Sequence, residues 1–136
     1  MTILAPVMML KFLDLFFIVF HTGFTLFNLA GWIWKKTRKV HLITIGLTLI
    51  SWFVLGIWYG WGYCVCTDWH WQVREAMGEP IPFHSYIQFL VSELTGWVPD
   101  RGLTDVMTLC VFLLCILLSV YVNRRLFSRF FKRRVS

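Results

Sequence analysis

Three long apolar stretches dominate the pattern of hydrophobic and polar positions along the chain, at residues 12–34, 40–61 and 106–122. A bilayer core about 30 Å thick requires roughly 20 apolar residues of helix, because each residue advances the helix by about 1.5 Å. We therefore predict three transmembrane helices. A fourth apolar stretch, 82–97, is shorter and contains polar residues, which favours an interfacial or re-entrant helix on the outer face.

This pattern predicts an all-α integral membrane protein with a single membrane domain over residues 1–136. The segment 62–105 connects the second and third spans, and its prolines divide it into two short helices, near 68–77 and near 83–95. A basic tail follows the third span at 123–136. The predicted architecture is a bundle of three transmembrane helices with short helical segments at the outer face.

The overall composition supports a membrane protein and excludes two other classes. Hydrophobic residues make up 58% of the 136 residues, and charged residues make up only 15%. Typical soluble domains carry about 45–50% apolar and roughly 25% charged residues. A soluble core of this length would not bury so many apolar side chains, and disordered chains have the opposite composition. We therefore expect the lipid bilayer to be the main partner of this chain.

The basic residues are concentrated beside the apolar stretches. Of the 13 lysines and arginines, four lie at 35–39 and six at 124–134. The positive-inside rule places both groups in the cytoplasm, with the N-terminus outside, the C-terminus inside and 62–105 facing outward. The net charge of +6 is explained by this placement and by anionic lipid headgroups, so we expect no binding of nucleic acid. The tail at 124–134 is predicted to lie on the inner leaflet.

Polar residues inside the spans recur at helical spacing, which places them on one face of each helix. The three stripes are Asp14, His21, Thr25 and Asn28; His41, Thr44, Thr48 and Ser51; and Asp105, Thr108, Cys115 and Ser119. Each stripe is expected to point into the bundle, because lipid would leave its polar groups unsatisfied. The structural interpretation is that these groups pack the helices together.

Two histidines in the spans call for separate interpretations. Asp14 is expected near the outer interface, with His21 about 10 Å deeper along the same helix. His21 is then either a hydrogen-bonded histidine that orders the bundle or part of a site for a ligand, proton relay or cofactor. His41 adjoins the basic turn and is predicted to be an interfacial residue.

The second span ends in an aromatic-rich segment that also carries cysteine and histidine. Its aromatic residues are typical of an interfacial belt. A speculative metal site would use the side chains of Cys64, Cys66, His70 and His84, although structural zinc sites space their cysteines as C-x2-4-C and this segment has C-x-C. A disulfide between one of these cysteines and Cys110 is an alternative in an oxidising compartment.

No soluble-enzyme signature is present, and no cofactor is indicated by motif. Carboxylates and histidines on the outer segment and the first span offer an alternative acid/base site: Asp14, Asp68, His70, His84 and Glu93. The enzyme interpretation is therefore the less favoured one.

Short motifs spread along most of the chain resemble those of one family. They are Leu13-Asp14, His21 and Phe24; Gly31-Trp32 and His41-Leu42; Cys64 or Cys66 with Thr67 and Arg74; and Phe83-His84-Ser85-Tyr86. The chain resembles the small bacterial inner-membrane proteins catalogued as domain of unknown function 2784, over about residues 11–122. This family has one cysteine followed by proline where this chain has Cys64-Val65-Cys66. The resemblance implies a helical membrane fold and a grouping of Asp14, His21 and His84, and it implies no activity.

Two functional hypotheses follow from these observations. The first is a non-enzymatic accessory or scaffold subunit of the bacterial inner membrane, whose partner is another membrane protein. The second is a membrane protein with an outward-facing site that binds a metal, haem or lipid. This site would draw on Asp14, His21, Cys64, His70 and His84.

Overall fold

The computed structural model describes residues 4–135, and all regular secondary structure in that range is helical. The elements are α1 (Leu4–Ala30), α2 (Arg38–Leu49), a π-helical stretch (Ile50–Leu55), α3 (Gly56–Tyr59), α4 (Val65–Ala76), α5 (Tyr86–Thr95), α6 (Arg101–Val122) and α7 (Arg124–Val135). The all-α fold class predicted from the sequence is confirmed.

Three helical segments are long and apolar enough to cross a membrane: Leu4–Ala30, Arg38–Tyr59 and Arg101–Val122. The number agrees with the prediction, while the bounds differ by up to eight residues. The first helix begins earlier than predicted, at Leu4. It also ends earlier, because the chain leaves helical geometry after Ala30 and residues 31–37 form the turn into α2. The third helix starts five residues earlier, because Asp100 caps its N-terminus by accepting a hydrogen bond from the Leu103 N–H at 2.8 Å.

Most of the long apolar side chains face outward along these helices, and the described core is small. Ile45 of α2 packs with Phe112 and Cys115 of α6, and each of these side chains is less than 10% exposed. Trp52 adds an aromatic contact, with its ring centroid 4.7 Å from that of Phe112. Apolar side chains on the outside of a bundle are stable in lipid, so this arrangement suits a membrane helix bundle.

A polar cluster of Asn28, His41 and Ser119, here called the His41 cluster, joins the three spans. His41 is fully buried; its Nε2–H donates to the Asn28 carbonyl at 2.8 Å, and its Nδ1 lies 2.9 Å from the Ser119 hydroxyl. The interfacial position predicted for His41 is therefore wrong. Gly31 makes this burial geometrically feasible, because a Cβ there would lie 2.8 Å from the His41 ring.

The polar stripes turn inward in part. Asn28 donates to the Thr48 hydroxyl at 3.0 Å, and Ser119 is fully buried. Asp105, by contrast, is exposed and lies 3.9 Å from Arg101 on the same helix, so its predicted place on the inward stripe is wrong. The preceding residue, Thr104, is the one that is buried against the bundle. Adjacent residues of a helix point in different directions, so the Asp105 carboxylate faces outward.

The chain folds back on itself between α3 and α4. Gly60 and Gly62 adopt φ values of 104° and 80°, which are accessible to glycine at little cost. The Gly62 N–H then donates to the Trp52 carbonyl at 3.3 Å, inside the π-helical stretch, and the Ser51 hydroxyl donates to the Tyr63 carbonyl at 2.9 Å. Ser51 precedes the end of α3 by eight residues, or roughly 12 Å of helix. As a result, α4 starts well below the end of the second span.

The helices α4 and α5 then run beside α1. The first of the two short helices predicted in 62–105 begins three residues earlier than expected, at Val65, and the second begins three residues later, at Tyr86. The end of the bundle where these helices pack is called the α4 end. The opposite end is called the basic end, because Asn123 there donates to the Arg38 carbonyl at 3.5 Å and so brings the start of α7 to the basic turn 35–39.

Candidate functional site

Two pairs of polar side chains connect α1 to α4, and together with Arg74 and Tyr86 they form what we call the α1–α4 site. Asp14 pairs with His70, and His21 pairs with Cys64. The earlier residue of α1 meets the later residue of α4, so the two helices are antiparallel. Asp14 and His21 are seven residues apart, which separates the two pairs by about 10 Å along α1.

In the pair nearer the N-terminus of α1, the Asp14 carboxylate contacts His70 and also Arg74. His70 Nε2 lies 2.7 Å from Asp14 Oδ1, and Arg74 Nη1 lies 3.3 Å from Asp14 Oδ2. Arg74 also contacts the exposed Glu79 at 3.3 Å. Asp14 and Arg74 are mostly buried, with side chains 15% and 19% exposed, so each charge depends on its partner.

His70 is fully buried among aromatic rings. The ring centroids of Phe17, Trp71 and Phe89 lie 5.2 to 5.9 Å from that of His70. Burial lowers the pKa of His70 below its ordinary value of 6.5, and this effect outweighs the opposite effect of Asp14. The neutral ring therefore donates its Nε2–H to Asp14, which leaves Nδ1 as an unprotonated acceptor.

The deeper pair joins a thiol to an imidazole. Cys64 Sγ lies 3.6 Å from His21 Nε2, and Cys64 occupies the N-cap position of α4. The side-chain interaction with Cys66 lowers the pKa of Cys64 well below the ordinary thiol range, and His21 makes a smaller contribution in the same direction. The interaction with Cys64 raises the pKa of Cys66. Together these effects favour a thiolate at Cys64 and a thiol at Cys66.

Tyr86, the first residue of α5, closes the site beside His21. Its ring stacks on the His21 imidazole with centroids 3.9 Å apart. Its hydroxyl donates to the Ile18 carbonyl at 3.2 Å and accepts from Thr22, 2.9 Å away. Tyr86 is buried, with its side chain held by α1, and it fixes the plane of the His21 ring.

Three buried nitrogen atoms of the α1–α4 site have no hydrogen-bond partner: His21 Nδ1, His70 Nδ1 and Arg74 Nε. Buried polar atoms are usually satisfied, because an unpaired buried group costs about 1–3 kcal/mol. All three atoms belong to groups that hold or exchange protons. Among residues 4–135 one further buried side-chain atom is unpaired, Asn28 Oδ1 of the His41 cluster, so three of these four atoms lie in the α1–α4 site.

Other residues predicted from the sequence do not join this site. His84 is exposed in the loop before α5 and makes no hydrogen bond, ion pair or ring contact with Asp14 or His21, the residues with which the resemblance grouped it. All four cysteines are unbridged, and Cys110 is exposed on α6. Within residues 4–135 no group of three or more His, Cys, Asp or Glu side chains stands close enough to hold a metal ion. The set Cys64, Cys66, His70 and His84 is therefore not assembled as a ligand cluster.

A comparison with protein families supports the resemblance seen in the sequence. The family model described as "Protein of Unknown function (DUF2784)" matches residues 11–124. The chain belongs to the DUF2784 family. Searches of curated proteins and of solved structures found no match. The matched range of this DUF2784 member includes both pairs of the α1–α4 site and Tyr86.

Sequence reasoning missed two residues of the site, Arg74 and Tyr86. The only indication of them was that both stand in motifs that carry the DUF2784 resemblance. Their types gave no other signal, because one arginine and one tyrosine in a polar outer segment are typical of solvated surface. Their contacts with Asp14 and His21 depend on the fold-back at Gly60 and Gly62 rather than on local sequence.

Proposed function

We propose that the α1–α4 site is a thiol–imidazole site in which Cys64 acts as a nucleophile and His21 accepts its proton. The observation that carries this proposal is the 3.6 Å contact between Cys64 Sγ and His21 Nε2. A nucleophilic thiol within reach of a base, with the base oriented by a third group, is the arrangement used for covalent catalysis. Tyr86 supplies the orientation here, because its ring stacks on His21. The proposal uses His21 and Cys64 of the second hypothesis drawn from the sequence, but it assigns them covalent chemistry instead of the binding of a metal, haem or lipid.

The position of Cys64 supports thiolate chemistry in a second way. It stands at the N-cap of α4, where the positive end of the helix dipole favours a negative charge. Its side chain is half-buried, so it is not sealed inside the core. Structural cysteines in apolar surroundings are usually inert, whereas reactive cysteines occupy such partly open, electropositive positions.

Asp14, His70 and Arg74 supply the framework for this site. Their contacts fasten the later turns of α4 to α1 and so hold Cys64 against His21. The free Nδ1 of His70 adds a second buried proton acceptor. We assign Asp14 and Arg74 positioning roles, since no contact joins them to the thiol.

The pH profile of cysteine alkylation tests this proposal. A variant that retains Cys64 alone (Cys66→Ser with Cys110→Ser and Cys115→Ala) is compared with one that retains Cys66 alone. We expect the alkylation midpoint of Cys64 to lie well below the ordinary thiol value of about 8.5. The midpoint of Cys66 is expected at or above that value. Equal midpoints for the two thiols, in folded protein, would contradict the proposal.

We also propose that the protein lies in the bacterial inner membrane with its N-terminus outside, its C-terminus in the cytoplasm and α7 on the inner leaflet. The basic turn 35–39 and α7 meet at one end of the bundle, as the positive-inside rule requires of a cytoplasmic end. In α7 four apolar side chains are exposed, those of Leu126, Phe127, Phe130 and Phe131. The charged residues of this helix are all basic. Such a helix binds anionic lipid through both faces.

A fluorescent protein fused to the C-terminus tests this orientation, because most such reporters fluoresce only when they fold in the cytoplasm. Alkaline phosphatase fused at the same place is the matched control and should be inactive. An active phosphatase fusion would show that the C-terminus lies outside the cytoplasm, which contradicts the proposed orientation. The accessory or scaffold role stays a prediction, and a second polypeptide recovered in fixed stoichiometry from native membranes would support it.

A further inference from the structure

An open groove, here called the α1–α2 groove, runs between these two helices on the outside of the bundle. It has a volume of about 420 Å³ and is lined by five residues of α1, between Val19 and Phe27, and by Val40 and Thr44 of α2. Of the seven lining residues only Thr44 has a polar side chain, and its hydroxyl donates to the His41 carbonyl at 3.0 Å. The lining therefore suits an apolar occupant.

Gly23 lines this groove and gives it depth. A Cβ at Gly23 would have no packed neighbour within 4 Å among residues 4–135, so the space beside it is open. Glycine weakens a helix, but within a membrane span it lets a neighbouring group approach the backbone closely. Because no part of the described chain makes that approach, the space beside Gly23 accommodates a group from outside the chain.

The α1–α2 groove is as long as one leaflet of a bilayer is thick. Phe27 and Val40 are the lining residues nearest the basic turn 35–39, and Val19 is the farthest from it along α1. Val19 and Phe27 are eight residues apart, or roughly 12 Å of helix, and each leaflet of the hydrocarbon core is about 15 Å thick. One acyl chain from the leaflet at the basic end fits this length, whereas a partner's transmembrane helix would run through both leaflets.

Positive charge is concentrated where the groove begins. Lys39 immediately precedes Val40, Lys35 and Lys36 stand in the same turn, and all three lysine side chains are exposed. Among residues 4–135 no ion pair involves these lysines, and the sequence has no acidic residue at 15–67. The chain thus supplies no anion to these ammonium groups, and the membrane surface offers the phosphates of anionic lipids.

We propose that the α1–α2 groove binds one anionic phospholipid, with an acyl chain beside Gly23 and the headgroup at the lysines of the basic turn. Lysines act as point charges with rotatable donors, so the site selects a negative headgroup rather than a particular headgroup shape. The site goes beyond the surface attraction of α7 for anionic lipid, because it holds a single molecule by both its apolar and its charged part. It does not depend on the thiol chemistry of the α1–α4 site.

Photo-crosslinking in vesicles tests this site. Full-length protein is reconstituted in phosphatidylcholine vesicles that contain a small fraction of a probe lipid with a diazirine in one acyl chain. The probe is either phosphatidylglycerol or phosphatidylcholine, and labelled peptides are identified by mass spectrometry. We expect the phosphatidylglycerol probe to label residues 19–27 at least about fivefold more than the phosphatidylcholine probe, which is the effect of roughly one lysine beside an anionic headgroup.

The acyl-chain part of the site is tested by two matched glycine variants. Gly46 of α2 also has open space beside it, but it does not line the groove. Gly23→Leu should remove most of the excess labelling by phosphatidylglycerol, because its side chain fills the groove, whereas Gly46→Leu should retain the excess. Thermal unfolding confirms that each variant is folded, and Gly23→Ala replaces Gly23→Leu if the latter is not.

The headgroup part is tested by two matched charge variants. Lys36→Gln combined with Lys39→Gln should lower the excess labelling at least about threefold, since each lysine beside an anionic lipid contributes to binding. Lys11→Gln combined with Arg101→Gln removes two positive charges from exposed positions near the α4 end and should leave the excess unchanged.

Three results would overturn the lipid site. Equal labelling by the two probes would mean that only bulk lipid contacts the groove. Equal effects of Gly23→Leu and Gly46→Leu would mean that the excess labelling arises elsewhere. If the mass of the intact protein shows a dimer that Gly23→Leu removes and Gly46→Leu retains, a second copy of the chain occupies the groove instead of lipid.

Discussion

Two fully buried histidines in this bundle have opposite hydrogen-bond states. In the His41 cluster both ring nitrogens of His41 are partnered, one by the Asn28 carbonyl and one by the Ser119 hydroxyl. In the α1–α4 site His70 is equally buried, yet its Nδ1 has no partner. The His41 cluster links all three long helices, whereas His70 links one long helix to a short one.

The difference separates a structural histidine from a chemical one. A buried imidazole with both nitrogens satisfied contributes to stability and has no atom left for a substrate. A buried imidazole with one free nitrogen costs stability, and such a cost is typical of functional sites. His21, with Nε2 on Cys64 and Nδ1 free, belongs with His70. Burial alone would have grouped all three histidines together.

The largest expected effect is on stability and concerns the His41 cluster. The substitution His41→Ala removes two hydrogen bonds, leaves the Asn28 carbonyl unpaired and opens a cavity beside Gly31. We expect it to lower the free energy of unfolding by about 2–4 kcal/mol. Denaturant unfolding in detergent measures this, with Ser119→Ala as the milder control at about 1 kcal/mol.

The same variant also tests the separation between the two regions. Below its unfolding temperature, His41→Ala should leave the alkylation profile of Cys64 unchanged. A loss of stability under about 0.5 kcal/mol would mean that full hydrogen bonding does not mark a structural histidine here, since surface substitutions have effects of that size.

The second prediction concerns reactivity at the α1–α4 site. The substitution His21→Gln keeps a hydrogen-bond donor in place of the imidazole but cannot take up a proton from Cys64. The charge interaction by which His21 lowers the pKa of Cys64 is therefore lost, and the alkylation midpoint of Cys64 should rise by about one pH unit. The pH dependence of alkylation in the Cys64-only background measures the shift.

The matched control is His41→Gln, which alters a histidine of similar burial and should leave the midpoint in place. If both glutamine variants shift the midpoint alike, the effect comes from general loosening of the bundle. The comparison between the two regions would then have to be abandoned.

The sequence predicted the spans well because each one depends on local composition. A run of about 20 apolar residues forms a helix in lipid whatever its neighbours are, so the number of spans followed from hydropathy. The spacing of Asp14 and His21 on one helix also followed from local geometry. These features need no knowledge of the tertiary fold.

The partners of those residues did not follow from the sequence. Cys64 reaches His21 only because Gly60 and Gly62 turn the chain back along the π-helical stretch, which is a tertiary arrangement. For His41, proximity to the basic turn predicted an interfacial position, whereas Gly31 provides the space that buries it. His84 was grouped with the site by the resemblance, yet α5 begins two residues later and leaves it exposed.

The smallest expected effect is the pH dependence of stability, and it tests the protonation state assigned to His70. Burial lowers the pKa of His70 below 6.5 in the folded protein, while the unfolded chain titrates near that ordinary value. Below about pH 6.5 the unfolded state therefore binds more protons than the folded state. As the pH is lowered, the free energy of unfolding decreases by at most about 1.4 kcal/mol per pH unit. Unfolding of wild type and His70→Gln, measured between about pH 7.5 and 5.5, isolates this contribution.

The glutamine variant is informative because its amide still donates to Asp14 but does not titrate in this range. We expect the wild type to lose stability on acidification more steeply than the variant, since only wild type must protonate a buried ring. If the wild type instead gains stability relative to the variant, His70 is an imidazolium paired with the Asp14 carboxylate. Its Nδ1 would then carry a proton and act as a donor, so the α1–α4 site would offer an acid where we have assigned a base.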